Sequence, residues 1–185
     1  MPTVGNVSTG KPKTTGGVWH APLGSTLPTD ATTALDPAFK NLGYCSEDGV
    51  SESTDMSTNE IKAWGGDTVL LAQEGKSYKY TFTPIECMNS EVLKAQYGSG
   101  NVTVDAQTGL ITVTGNATEV GAEIFVIELA LRDGGYERIV IPNGKLSSLG
   151  DITYNDTDPI GSELEITAMP DASANAFYKY ILPGT

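Results

Sequence analysis

The sequence predicts a mainly β fold: an antiparallel β-sandwich or barrel of about 8–10 short strands with one short flanking α-helix. Three observations carry this. The 185 residues include 22 Thr, 21 Gly and 10 Pro; Thr is β-branched and favours strands, whereas Gly and Pro punctuate turns. Apolar or alternating segments recur at intervals of roughly 8–12 residues. Only one segment combines helical spacing with helix-end signals. The length fits one domain, and no internal repeat of about 20–50 residues interrupts it.

Met1 to Gly17 is polar and rich in Gly, Thr and Lys, and is expected to be a flexible N-terminal arm. The domain proper is expected over residues 18–185. Val18-Trp19-His20-Ala21 is a strand stopped by Pro22. Leu23 to Ala38 is an irregular excursion, with a helical turn opening at Asp36-Pro37. Leu42 to Cys45 resumes a strand.

Residues 41–75 then carry seven acids against one base, Lys62, a net −6 out of −12 for the chain. Most charge runs are solvated faces; the sharper alternative is a surface that repels polyanions. Residues 46–66, poor in apolar side chains, are expected as a projecting loop or a long hairpin. Val69 to Ala72 and Ser77 to Thr83 are expected to pair about a turn at Gln73–Lys76. Tyr78, Tyr80 and Phe82 alternate with Lys79, Thr81 and Thr83, which marks a half-buried strand with an aromatic core face.

The helix spans Ser90 to Tyr97. Asn89 or Ser90 can cap it, Glu91 lies in its first turn, and Gly98 is a natural terminator. At eight residues it must dock on a sheet to persist. Asn101 to Thr114 forms a hairpin about Asp105–Gly109. Ile124 to Leu131 is apolar except for Glu128, so it needs cover on both faces, by core on one side and by another layer or subunit on the other. Asp133-Gly134-Gly135 turns it back into Tyr136 to Ile141, where Pro142 is expected to end pairing. Ile152–Tyr154 and Glu163–Thr167 are further strands, and Ala176–Leu182 is a strand or a short helix.

The chemistry-bearing residues are few. His20 is the only histidine, and Cys45 and Cys87 stand 42 residues apart without a C-x-x-C pair. Two free thiols are the expectation for a cytosolic protein, with a bridge as the alternative. There is no G-x-S-x-G elbow and no G-x-x-x-x-G-K-[ST] phosphate loop. Asp151, Asp156 and Asp158 do not match a calcium-loop spacing. Nothing points to catalysis, to a metal or to any cofactor. The pI of about 4.3 argues against gripping nucleic acid or an anionic membrane. No apolar run reaches the roughly 18 residues of a membrane helix, and Met1–Lys13 lacks the apolar core of a signal peptide.

Two stretches narrow the reading. VWHAPLGSTLPTDATTALDPAFKNLGYCSEDGVSES (residues 18–53) and TFTPIECMNSEVLKAQYG (residues 81–98) together resemble the major tail protein, or tail-tube protein, of siphophages. The likeness covers roughly residues 15–145, and more loosely the rest. It implies a structural virion protein that forms hexameric rings, stacked into a tail tube. Inner-sheet strands would join around a lumen for the tape-measure protein and then for double-stranded DNA, which passes without specific binding. Tail-tip initiator and tail-terminator proteins would be further partners. The location implied is the virion tail after assembly in the host cytoplasm, with no membrane involved.

On that resemblance, the lumen-facing acid candidates are Glu47, Asp48, Glu52, Asp55, Glu60, Glu163 and Glu165. The subunit-interface candidates are Trp19, Trp64, Ile124, Val126 and Glu128. The arm and residues 46–66 would reach between rings. The competing reading is an immunoglobulin-like adhesion or carbohydrate-binding module. VTVDAQTGLITVTG (residues 102–115) resembles the hairpin of bacterial immunoglobulin-like repeats, and Tyr78, Tyr80 and Phe82 could form a sugar platform.

Overall fold

The computed structural model describes residues 2–184; Met1 and Thr185, the outer ends of the expected arm and domain, lie outside the described residues. The architecture is antiparallel β with one helix. Strands are β1 (Gly10–Pro12), β2 (Val18–Pro22), β3 (Lys40–Asn41), β4 (Cys45–Lys62), β5 (Thr68–Pro84), β6 (Val102–Val104), β7 (Ile111–Val113), β8 (Glu123–Leu131), β9 (Tyr136–Leu149), β10 (Leu164–Ala168) and β11 (Tyr178–Leu182). Helix α1 is Ser90–Tyr97. Nine strands form one sheet in the order β3-β2-β8-β9-β10-β5-β4, with β1 also on β8 and β11 also on β9. It does not close into a barrel; β3 and β4 are its two ends. β6 and β7 form a separate two-stranded sheet, so the stretch resembling an immunoglobulin-like hairpin stands apart from the main sheet.

Strand alternation gives the main sheet two apolar faces. On one face Val18, Tyr80, Phe82, Phe125, Ile127, Ile139, Ile141, Leu164 and Ile166 bury one another beneath Val92 and Ala95 of α1. The aromatic stripe of β5 is therefore core, with Tyr78 and Tyr80 edge-on to Phe177. On the other face Ala21, Ile124, Val126 and Val140 pack beneath Phe39, with Leu27 and Leu35 beside them. On this second face Ile124 and Val126 are covered by the chain's own 23–39 excursion, which is the further layer that the strand requires.

Helix α1 forms as its sequence dictates. The Asn89 side chain accepts from Glu91 N at 3.0 Å, and Gly98 ends the helix at φ 87°.

Five expected features differ. Leu42–Tyr44 is not strand but links β3 to β4. Gln73–Lys76 is not a turn: β5 runs through it, pairing with β4 across a bulge at Ser57/Thr58. The chain reverses instead at Ala63–Asp67, where Gly65 and Gly66 supply the positive φ values (129° and 100°) that the turn needs. Pro142 does not end β9, because it falls in a register shift opposite Glu123/Phe125, where no ladder donor is required. Ile152–Tyr154 is not a strand but part of an irregular crossing. Part of the arm expected to be flexible is held in the sheet, Gly10–Pro12 pairing with Leu131–Leu129. Ala176–Leu182 resolves as strand at Tyr178–Leu182.

Candidate functional site

The largest unburied element is the β4–β5 hairpin. From Ser51 to Leu70 every side chain is exposed, yet the ladder is paired along its length. The hairpin bears apolar side chains in water: Met56, Ile61, Trp64, Val69, Leu70 and Leu71 are all exposed, Trp64 completely (107%). These apolar side chains, spread over both faces of an acidic ribbon, have no cover among the described residues.

Strand register divides the expected acids. Glu52 pairs with Tyr80, which in turn pairs with Ile166, so Glu52 lies on the core side of β4. There it meets Lys179 at 2.8 Å, and Glu137 approaches the same ammonium at 3.6 Å. Burial lowers the Lys179 pKa, but the two carboxylates outweigh it and raise the pKa above its ordinary value. Beneath them the Tyr80 hydroxyl is buried with no hydrogen-bond partner among the described residues. Burial, then the Glu52 carboxylate, pushes it up.

The opposite face is polar. Ser51, Thr81 and Glu165 share one register row, Ser53, Lys79 and Thr167 the next, and Asp55 faces Ser77 beyond them. Glu165 takes Ser147 Oγ at 2.8 Å and Lys79 at 3.1 Å, and those two contacts, the hydroxyl first, hold its carboxyl below the usual range. Asp55 and Glu165 therefore share a face that Glu52 does not. Glu47 and Asp48 project from the irregular stretch between Cys45 and Val50, Glu163 is exposed just before β10, and Glu60 pairs with Thr68 and Lys62 near the hairpin end.

The interface candidates also separate. Trp64 is free surface. Trp19 is half-buried against the second apolar face. Ile124 (2%), Val126 (0%) and Glu128 (3%) are buried within the single chain, the first two against Phe39, Leu27 and Leu35 of the 23–39 excursion.

Two polar clusters emerge that the sequence reading left unassigned. Arg138 donates to Glu128 from Nε at 3.0 Å, and from its two terminal nitrogens to the carbonyls of Asp30 (2.7 Å) and Thr33 (2.8 Å). Lys13 adds a bond to Glu128 at 3.0 Å and one to Ala31 O at 3.2 Å. Asp30 organises that loop by accepting from Thr32 and Thr33, which hold its carboxyl far below the usual range. The second cluster joins His20 to Glu91 and Glu123. The signal for the first was present, since Glu128 and Arg138 lie equally far from Asp133 at the turn.

This arrangement defines a class: a β-structural protein whose chemistry is that of surfaces. Among the described residues no group of three or more His, Cys, Asp and Glu is placed to hold a metal ion, and both cysteines are free. Among the described residues no helix is long and apolar enough to cross a membrane. A family model described as "Phage tail tube protein" matches residues 12–184, and the chain belongs to that family. It is thus a structural component of a phage tail, as the resemblance of residues 18–53 and 81–98 implied. Among solved structures, the anti-feeding prophage cap, a tube-terminating cap, is similar at a TM-score of 0.46 and 10% identity, covering 97% of this chain and 98% of that one. No curated protein sequence matches.

Proposed function

We propose that the protein polymerises through stacked hexameric rings into the tail tube of a siphophage, an acidic-lined conduit for genome delivery. The observation that carries this is the β4–β5 hairpin: a paired ribbon whose exposed outer part, with its apolar side chains, has no cover among the described residues. A ribbon of about ten residues beyond the core extends roughly 30 Å, enough to reach a neighbouring subunit. Residues 46–66 are its inter-ring reach, and residues 1–17 an arm that adds to the same contacts.

The polar face bearing Asp55 and Glu165 suits a lumen wall, and Glu47, Asp48 and Glu163 are free to contribute. Glu52 suits it less, because it lies on the core side of β4 and is drawn to Lys179. Six chains of −12 give −72 per ring, a field that keeps phosphates from adhering along the path. The tape-measure protein would fill the lumen first and double-stranded DNA would follow. Initiator and terminator proteins would meet the two ends, with assembly in the host cytoplasm.

Sedimentation velocity over a concentration series, with and without tail-tip complexes as seeds, tests self-assembly. Six 19.5 kDa chains give a ring of about 117 kDa, and larger stacks should appear as concentration rises. A 19.5 kDa species at every concentration, seeded or not, would overturn the proposal.

A further inference from the structure

The tip of the β4–β5 hairpin and a cavity beside α1 lie at opposite ends of β5. Trp64 stands at the tip, fully exposed, in a turn closed by Gly66 N on Ala63 O at 3.0 Å and by Ala63 N on Asp67 O at 2.8 Å. β5 begins just past this turn at Thr68 and ends at Pro84, which lines the cavity. Its 17 residues, at about 3.3 Å each, set the two roughly 50 Å apart along the strand, so the tip does not reach its own cavity.

The cavity measures about 270 Å³ and is walled by Pro84, Val92, Leu93, Tyr97, Ile152 and Ile160, from the end of β5, from α1 and from the crossing 150–163. Its walls are fixed. Buried Gln96 donates from Nε2 to Ser162 Oγ at 3.0 Å and ties α1 to the crossing. A Cβ at Gly161 would lie 2.7 Å from Pro84 O, so the crossing sits hard against β5. The volume falls below the roughly 300–1,000 Å³ of small-molecule sites and suits one large side chain. Charge agrees with this. Residues 150–163 carry Asp151, Asp156, Asp158 and Glu163 and no base. The tip, residues 61–66, carries Lys62 and no acid. The Lys62 side chain is 57% exposed even where it approaches Glu60 at 3.4 Å.

We propose that Trp64 of one copy seats in the α1 cavity of the next, with Lys62 beside it against the acidic crossing. Tryptophan anchors in closed pockets are typical centres of binding energy. Tip and cavity are different patches of one surface, so the contact is heterologous: each added copy presents a fresh tip, and the series continues as a stack instead of closing as a pair. This contact presupposes the tube reading and names the receptor for its hairpin.

Cys87, exposed on the cavity wall, makes the test direct. Alkylation with N-benzylmaleimide fills the cavity and leaves the hairpin untouched. Seeded assembly, read by light scattering, should fall about tenfold or more, which needs only about 1.4 kcal/mol of lost contact energy, while the melting temperature holds. Ala63→Cys keeps Trp64, and a short bismaleimide should then join the introduced thiol to Cys87 of the next copy. Every copy holds both thiols, so the product should be a ladder of multimers of the 19.5 kDa chain, and adding Cys87→Ser should reduce it to dimers at most. Tubes that assemble normally after alkylation, or that cross-link no further than dimers, would overturn the contact and leave the tube reading standing. No assembly in any sample, with tail-tip seeds present, would overturn both.

Discussion

Arg138 and Glu128 are register partners on adjacent strands, 1% and 4% exposed, and they form a buried ion pair on the face covered by the 23–39 excursion. The excursion is tied to this pair because its carbonyls at Asp30 and Thr33 use the remaining guanidinium donors. Removing one partner leaves an uncompensated buried charge, which costs about 3–5 kcal/mol. Arg138→Met should therefore destabilise by that amount in chemical denaturation. Lys13→Ala should cost less, since Lys13 is 16% exposed and Arg138 still neutralises Glu128. Equal losses for the two variants would show that the arm, and not the excursion, is what the cluster secures.

Gly43 and Gly49 have nearly the same positive φ, 73° and 71°, in different surroundings. A Cβ at Gly49 meets open space, so Gly49→Ala should cost only the left-handed strain of about 1–2 kcal/mol. A Cβ at Gly43 would collide with the Glu86 carboxylate, which accepts from Tyr44 N at 2.9 Å and Asn89 Nδ2 at 3.1 Å. Gly43→Ala should thus lose those bonds as well, and its melting temperature should fall clearly below that of the Gly49 variant.

The two thiols should differ in reactivity. Cys87 is exposed, whereas burial, helped by the Glu86 carboxylate, pushes the Cys45 thiol up to about 11. Thiolate is the reactive form. Ellman's reagent at pH 8 should titrate one thiol rapidly in the native protein and the second only after unfolding. Rapid reaction of both would contradict the packing around Cys45.

Trp64 should matter to assembly and not to folding. Substitutions at exposed sites usually change stability by no more than about 0.5 kcal/mol, and Trp64 is fully exposed. Trp64→Ser should leave the melting temperature unchanged and reduce light scattering from assembled protein by at least tenfold. Normal assembly in this variant would show that the hairpin end is not a contact.

Much of the fold was legible because local signals agreed with tertiary structure. Tyr78, Tyr80 and Phe82 alternate and are core-facing; Asn89, Glu91 and Gly98 mark the helix ends. The failures have physical reasons. Gly75 resembles a turn glycine but lies in the ladder beside Ser57, because the chain reverses at the Gly65–Gly66 pair ten residues earlier. Pro142 is tolerated inside β9 because a bulge removes the need for its N–H. Ile124 and Val126 are apolar on the second face of β8, and sequence alone could not show that residues 23–39 fold back over them. The candidate site was legible as an acidic segment, and the odd spacing of Glu52 and Asp55 puts them on opposite faces of β4; that Glu165 shares the face of Asp55 was not legible, because the registers of β4 on β5 and of β5 on β10 decide it.

Tube building through copies of the chain is open to direct observation. Negative-stain electron microscopy of the purified protein at high concentration, with and without tail-tip complexes as seeds, tests it most directly. Six-fold rings with a central hole, and stacks of them, should be seen, and should be absent from the Trp64→Ser sample. Featureless single particles of about 19.5 kDa under every condition would contradict it.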